Sequence, residues 1–225
     1  MEAGLVVVTG AAGELGRVVA ARLAAAGHDV VAVDLREPGA LPSGAALRLG
    51  GVDLTDEAGT RAAFEVIRAT GRPLAGLVNI AGGFAWETLG DGSAGTWDRL
   101  YTLNVKTALH ACLAALPLLA DGASIVSIGA AATARAELGM GAYTASKSGV
   151  ARLTETLAVE LKPRGIRVNA VLPSIIDTPV NRADMPDADF SKWVTADELA
   201  NVIAFLLSDQ ASGITGAAIP VMGRV

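Results

Sequence analysis

Leu5-Val6-Val7-Val8-Thr9-Gly10-Ala11-Ala12-Gly13-Glu14-Leu15-Gly16 reads as a buried strand, a tight turn and the start of a helix. The run 5–8 is apolar throughout, with no polar alternation, as in a strand covered on both faces. Gly10 permits the tight turn, and Gly16 permits close packing of helix on strand. The helix should cover 15–26 and stop at Gly27. A helix that opens directly after a strand offers unpaired N–H groups and a positive dipole end, which suit a pyrophosphate.

The same alternation continues outward from this segment. A second strand is expected at 30–33, with Asp34 at its end, and residues 35–50 are loop-like around a short third strand at 47–49. The turn Asp53-Leu54-Thr55-Asp56 leads into a helix through Thr70. A fourth strand at 77–80 runs into Asn79-Ile80-Ala81-Gly82-Gly83. One long helix is expected over 96–119, a fifth strand at 124–128 and an Ala/Gly-rich loop over 129–142. The next helix carries Tyr143 and Lys147 and is stopped by Pro163 and Gly165. A sixth strand follows at 167–172, then an irregular 173–195, a helix at 196–208 and a last strand at 217–221. Strand–helix alternation from end to end predicts an α/β fold, a single doubly wound parallel sheet flanked by helices. Residues 1–225 are expected to form one domain, with 173–195 as the substrate loop.

Composition narrows the class further. The chain has 225 residues, 52% of them hydrophobic but only 4% aromatic, and a formal charge of −5 with no basic stripe or polybasic cluster. Neither nucleic acid nor a lipid surface is indicated. Cys112 is the one cysteine, so no intrachain disulfide can form, and a small buried apolar role is expected for it. No basic, apolar-cored leader opens the chain, and no apolar run reaches the ~20 residues of a membrane helix. A cytoplasmic protein is the expectation. No His, Cys and carboxylate cluster has metal-ligand spacing, and His28 and His110 read as a turn residue and a helix residue.

Chemistry concentrates where strands end. In an open parallel sheet, ligands bind at the carboxyl edge near the switch point. Asp34 would accept hydrogen bonds from an adenosine ribose and repel a 2′-phosphate, favouring NAD(H) over NADP(H), although Arg36 nearby could accept a phosphate. In Tyr143-Thr144-Ala145-Ser146-Lys147 the tyrosine and lysine lie one turn apart on one helix face. A lysine ammonium beside a phenol would lower the tyrosine pKa and make it an acid/base near neutral pH.

Together these elements resemble the short-chain dehydrogenase/reductase family over nearly the whole chain. The resemblance rests on the Thr9–Gly16 turn, Asp34, Asp53-Leu54, Asn79-Ile80-Ala81-Gly82, Asn104 within Leu103-Asn104-Val105, the Tyr143/Lys147 pair and Arg167-Val168-Asn169-Ala170-Val171-Leu172-Pro173. It implies a Rossmann-like domain with Gly10, Gly13, Leu15 and Gly16 around the pyrophosphate and Asp53 and Leu54 at the adenine. Asn79, Ala81 and Gly82 would support the strand and the cofactor. Pro173, Ile176 and Thr178 would lie over the nicotinamide amide. Tyr143 would be the acid/base, Lys147 would bind the ribose and tune the phenol, and Asn104 would hold a relay water. The family's helices over 96–119 and 144–162 pair across a two-fold axis, so a homodimer or homotetramer is implied.

Three positions depart from the family pattern. Glu14 stands where a middle glycine is usual, Ser174 where a glycine follows the proline, and Ala130 where the catalytic serine belongs. Ser127 is too early on its strand to reach the site; Thr133 is a possible substitute. The dihydropteridine reductase branch shares the missing serine, and the chain resembles it in Gly129-Ala130, in 141–147 and in Asp177-Thr178-Pro179-Val180-Asn181-Arg182 through Trp193. The implied activity is NADH-dependent hydride transfer to a conjugated carbonyl, imine or quinonoid acceptor. Phe190 and Trp193, with Met185, would stack on a flat substrate or anchor their loop, and Trp86 would line the pocket or lie on the surface. Two alternatives stand beside it: an NAD-dependent dehydrogenase of a hydroxyl-bearing metabolite, with Thr133 or water in place of the serine, and a catalytically weak NAD-sensing protein.

Overall fold

The computed structural model describes residues 4–225. The reading of a chain start without a leader bears on Met1-Glu2-Ala3, which lie outside the described residues. Seven strands form one parallel sheet: β1 Leu5–Thr9, β2 Asp29–Val33, β3 Leu47–Leu49, β4 Leu74–Asn79, β5 Leu119–Ile128, β6 Arg167–Pro173 and β7 Ala218–Val221. Their order across the sheet is β3-β2-β1-β4-β5-β6-β7, so the direction of winding reverses between β1 and β4.

The strand side chains explain why β1 lacks polar alternation. Val7 faces a core shared with Phe64, Ile67, Ala111 and Leu157, while Val6 and Val8 face a second core with Val19, Leu23, Leu199 and Ile203. Helices α1 (Glu14–Ala25) and α7 (Ala196–Leu207) close the second side. Helices α2 (Glu57–Arg68), α4 (Thr107–Ala115) and α5 (Gly141–Glu160) close the first. The doubly wound Rossmann-like fold expected from the sequence is therefore the fold observed.

The expected long helix over 96–119 is broken. It consists of α3 (Ala94–Tyr101), a wide π-helical turn at Thr102–Lys106, and α4, which ends at Ala115. Pro117 cannot continue a helix, which sets that end. The chain then enters β5 five residues earlier than the sequence pattern indicated, because Leu119 pairs with Leu74 through a register shift and Gly122 turns with φ +80°. β4 correspondingly begins at Leu74. The stretch 173–195, read as irregular, contains α6 (Pro179–Asp184), capped by Thr178 and opened by Pro179.

Registers such as Thr9 opposite Val33, Asn79 opposite Ser127 and Ile128 opposite Val171 bring the carboxyl ends of the central strands to one edge. The tightest point on that edge is the turn after β1. Gly10 has φ +65°, and a Cβ there would sit 2.9 Å from Ala81 N; a Cβ on Gly16 would sit 2.1 Å from Gly10 O. Gly16→Ala therefore must separate helix from turn. It should cost about 3 kcal/mol, the upper end for overpacking, read as a lower midpoint in chemical denaturation. An unchanged midpoint would contradict this packing.

Candidate active site

The turn after β1 is closed by a chain of backbone contacts. Gly13 N donates to Gly10 O at 3.1 Å, and Ala11 N donates to Val33 O at 3.3 Å. Gly13 is the N-cap of α1, and no side chain caps that helix, so its first-turn N–H groups face outward without a side-chain partner. Leu15 and Gly16 are buried beneath the turn, whereas Glu14 is exposed on the first turn. Asp34 leaves the end of β2 half-buried and reaches back to this turn: Oδ2 accepts from Ala12 N and Oδ1 from Arg36 N, each at 2.9 Å. Two guanidinium groups converge on the carbonyl of Ala12, Arg17 through Nε at 2.8 Å and Arg36 through a terminal nitrogen at 2.9 Å.

Further along the edge, Leu54 is buried and its carbonyl meets His110 Nδ1 at 2.9 Å. Asp53 is exposed, and the hydroxyl and N–H of Thr55 hold its carboxyl below the usual carboxylate range. Asn79 points away from the edge, its Nδ2 reaching Cys112 Sγ and Ser127 Oγ at 3.3 Å, while its Oδ1 is buried without a partner. Its role is to brace β4 against β5 and α4. Cys112 is buried, and desolvation pushes its thiol up to about 12.

Tyr143, Lys147 and Asn104 come together on α5 and the π turn. Asn104 spends its whole side chain on the protein: Oδ1 accepts from Gly83 N at 2.9 Å, and Nδ2 donates to Gly83 O and Ser146 Oγ at 3.0 Å. Ser146 in turn donates to Tyr143 O at 2.7 Å. A relay water at Asn104 would therefore have to use its main chain. Gly82 lies close against this cluster, for a Cβ on it would fall 2.5 Å from Asn104 Oδ1 and 3.6 Å from Lys147 Nζ.

Lys147 is 6% exposed and donates to Ile128 O at 2.8 Å; burial brings its ammonium down to about 8. The expected lowering of the Tyr143 pKa does not occur. Burial pushes the phenol up to about 12, because desolvation of the phenolate dominates and the lysine is engaged by a backbone carbonyl. Burial thus works against the charged form of both groups.

Ala130 is buried at the start of the loop leaving β5 and carries no hydroxyl of its own. Thr133 donates its hydroxyl back to Ala130 O at 2.8 Å, and Ser127 sits in the core beside Asn79. At the end of β6, Pro173 is buried, and Ser174 is tied to β7 through its N–H to Val221 O and its hydroxyl to Met222 O. Ile176 O accepts from Asn181 Nδ2 at 2.7 Å, and Thr178 Oγ1 accepts from Asn181 N at 3.2 Å, so the two expected nicotinamide contacts are locked into the start of α6. Phe190 and Trp193 pack together at 4.7 Å, with the Arg182 guanidinium 4.9 Å over Phe190 and paired to Asp177. They anchor their own loop, and Trp193 is 4% exposed.

Ser146, Gly83 and Phe84 were not singled out as site residues from sequence. Phe84 meets the Tyr143 ring edge-on at 4.9 Å. Ser146 had a signal, a hydroxyl three residues after Tyr143 on the same helix; the other two had none beyond following Gly82.

The glycine cradle, which Cβ atoms would fill, and the uncapped start of α1 fit a dinucleotide. A doubly wound sheet with this edge and a buried Tyr–Lys pair defines a nucleotide-dependent oxidoreductase. The family model described as "Enoyl-(Acyl carrier protein) reductase" matches residues 10–223. The (3R)-3-hydroxyacyl-CoA dehydrogenase of Rattus norvegicus is 34% identical, covering 99% of this chain and 96% of its own. Among solved structures, a short-chain type dehydrogenase/reductase from Mycobacterium ulcerans superposes with a TM-score of 0.89 at 32% identity, covering 98% and 88% of the two chains. A blue fluorescent protein from a metagenomic library, in complex with NADPH, does so with a TM-score of 0.87 at 29% identity, covering 98% and 97%. The chain belongs to the short-chain dehydrogenase/reductase family and is an oxidoreductase of that family. Among the described residues no helix is long and apolar enough to cross a membrane, and no group of His, Cys, Asp and Glu could hold a metal ion.

The buried lysine makes a pH prediction. Its pKa falls from 10.5 in the unfolded chain to about 8 in the fold, so between these values the unfolded state binds the extra proton. Stability of the cofactor-free protein should therefore rise as pH goes from about 8 toward 9, above which the raised Cys112 thiol opposes the trend. Denaturant titrations should show this rise in the wild type and lose it in Lys147→Met; parallel curves would refute it.

Proposed function

We propose that this protein reduces a conjugated carbonyl, imine or quinonoid acceptor with NADH, Tyr143 delivering the proton. The observation that carries the reading is Ala130, which brings no hydroxyl beside an intact Tyr143 and Lys147, while the Thr133 hydroxyl gives its proton to Ala130 O. A bound nicotinamide would supply the hydride. Gly10, Gly13, Leu15, Gly16 and the start of α1 would hold its pyrophosphate, Asp34 its adenosine ribose, and Gly82 and Lys147 the region of the second ribose. Asn104 and Ser146 fix the backbone around Tyr143, so the phenol is held in one place. With its phenol pushed up to about 12 by burial, Tyr143 keeps its proton until an acceptor oxygen or nitrogen takes it. A serine hydroxyl would normally orient a carbonyl and stabilise its developing charge. A conjugated ring already delocalises that charge and needs the donor less. The resemblance of 177–193 to the dihydropteridine-reducing branch supports a flat heterocycle of that kind.

The test is a steady-state comparison. Phenanthrenequinone should be reduced far faster than cyclohexanone, Tyr143→Phe should abolish both, and Ala130→Ser should raise cyclohexanone turnover toward the ~10²-fold that one such donor supplies. Equal turnover of the two acceptors by the wild type would sink the reading. The second reading, oxidation of a hydroxyl substrate, is favoured by the name of the hydroxyacyl-CoA relative. It predicts that a 3-hydroxyacyl-CoA outpaces every quinone in the same assay.

NADH is proposed over NADPH because the Asp34 carboxylate, held by two N–H groups, stands at the end of β2, while Arg17 and Arg36 are both engaged by Ala12 O. kcat/KM with NADH should exceed that with NADPH by about tenfold or more, about 1.4 kcal/mol. Asp34→Ser should narrow the gap, and an NADPH preference in the wild type would overturn the assignment.

A further inference from the structure

Phe84 is one residue beyond Gly83, whose N–H and carbonyl are both fixed by Asn104, so its ring is positioned by the catalytic cluster itself. That ring stands at 79° to Tyr143 and is 52% exposed. Two residues on, Trp86 lies across Gly139, where a Cβ would sit 2.2 Å from its Cε2. Gly139 has φ +73°, and its carbonyl accepts from Glu87 N at 2.9 Å, so the loop after β4 is fastened to the loop after β5. Trp86 is 57% exposed and Leu138, beside Gly139, is 77% exposed. Three large apolar side chains thus share two loops tethered to each other, beginning at the ring of Tyr143. Solvent-facing apolar groups gathered in this way mark a binding surface.

Charge in the three segments that leave this edge of the sheet is one-sided. The segments 80–93, 129–140 and 174–195 leave β4, β5 and β6 at the same edge. They carry Glu87, Asp91, Glu137, Asp177, Asp184, Asp187 and Asp189 against Arg135, Arg182 and Lys192. Arg182 is paired with Asp177 and Lys192 with Asp189, leaving Arg135 as the one cation of the three segments without an ion-pair partner among the described residues. We propose that Phe84, Trp86 and Leu138 form the seat for the body of an uncharged, flat, apolar acceptor, and that the carboxylates around it discourage anionic acceptors such as acyl-CoA thioesters. The inference rests on the reading of Tyr143 as proton donor, since that places the reacting atom beside Phe84. Aromatic contacts of this kind contribute about 0.5–1.5 kcal/mol beyond area burial. Loss of one should therefore raise KM several-fold.

The probes are ortho-naphthoquinone, its ring-sulfonated derivative and acetoacetyl-CoA, tested with the full chain and saturating NADH. The neutral quinone should have a kcat/KM at least about tenfold above the sulfonate, and the gap should shrink as salt rises from ~0.02 M to ~0.5 M. Phe84→Ala and Trp86→Ala should each raise KM for the neutral quinone more than they lower kcat. Leu138→Lys, at an exposed position that leaves the core untouched, should improve the sulfonate selectively. Equilibrium titration of Tyr143→Phe with both quinones separates the two readings. If that variant binds the neutral quinone more tightly and Phe84→Ala weakens the preference, the seat stands even where turnover goes to another acceptor. If binding is blind to charge and to Phe84, Trp86 and Leu138, or if the Tyr143→Phe variant binds acetoacetyl-CoA more tightly than the neutral quinone, the seat is refuted even with quinone turnover intact.

Discussion

The turn between β1 and α1 is pressed against the end of β4, and most of the site inherits its geometry from that approach. Gly10 meets Ala81 backbone to backbone, and Gly16 lets α1 pass over Gly10 without a side chain between them. Because β1 and β4 flank the winding reversal, this contact sets how wide the crevice opens at the switch point. Thr9 adds the polar half of the contact: its hydroxyl accepts from Ile80 N at 3.1 Å and from Ala81 N at 3.3 Å. Gly82 and Gly83 follow directly, and through Asn104 they reach Tyr143. The nucleotide end and the catalytic end are thus two ends of one short run of backbone.

The catalytic pair is held by burial more than by charge. Lys147 is surrounded by protein and given a single carbonyl partner, and Tyr143 is desolvated without a nearby charge to favour its phenolate. Desolvation works against the ion of each group, a balance that a charged cofactor entering the site would shift. The direct Coulomb attraction that Tyr-x-x-x-Lys spacing evokes is secondary here to the dielectric of the pocket.

Much of this was legible in the chain. The succession of strands and the parallel sheet followed from strict alternation, and Gly10, Gly16 and Asp34 stand at the edge where strand ends would place them. What periodicity could not show was the break within 96–119, since α-helical and π-helical turns share apolar spacing over so few residues. Nor could it show the early start of β5, where Leu119 precedes an exposed Asp121-Gly122 bulge. Thr178-Pro179 was a readable helix start that the loop-like composition around it obscured. The contacts made by Phe84 and by Trp86 depend on loop paths that no local pattern encodes. The sign of the Tyr143 shift depends on burial, which only the packed fold supplies.

The wide turn at Thr102–Lys106 holds one more residue per turn than the helices on either side. Surface loops elsewhere in the molecule can gain or lose residues at small energetic cost. Here a single deletion would tighten the turn into ordinary α-helix, keeping α3 and α4 in phase but re-aiming the side chains of the turn itself. The Asn104 side chain would then leave Gly83 and Ser146 together. Length, more than residue identity, is the constrained quantity in this part of the chain.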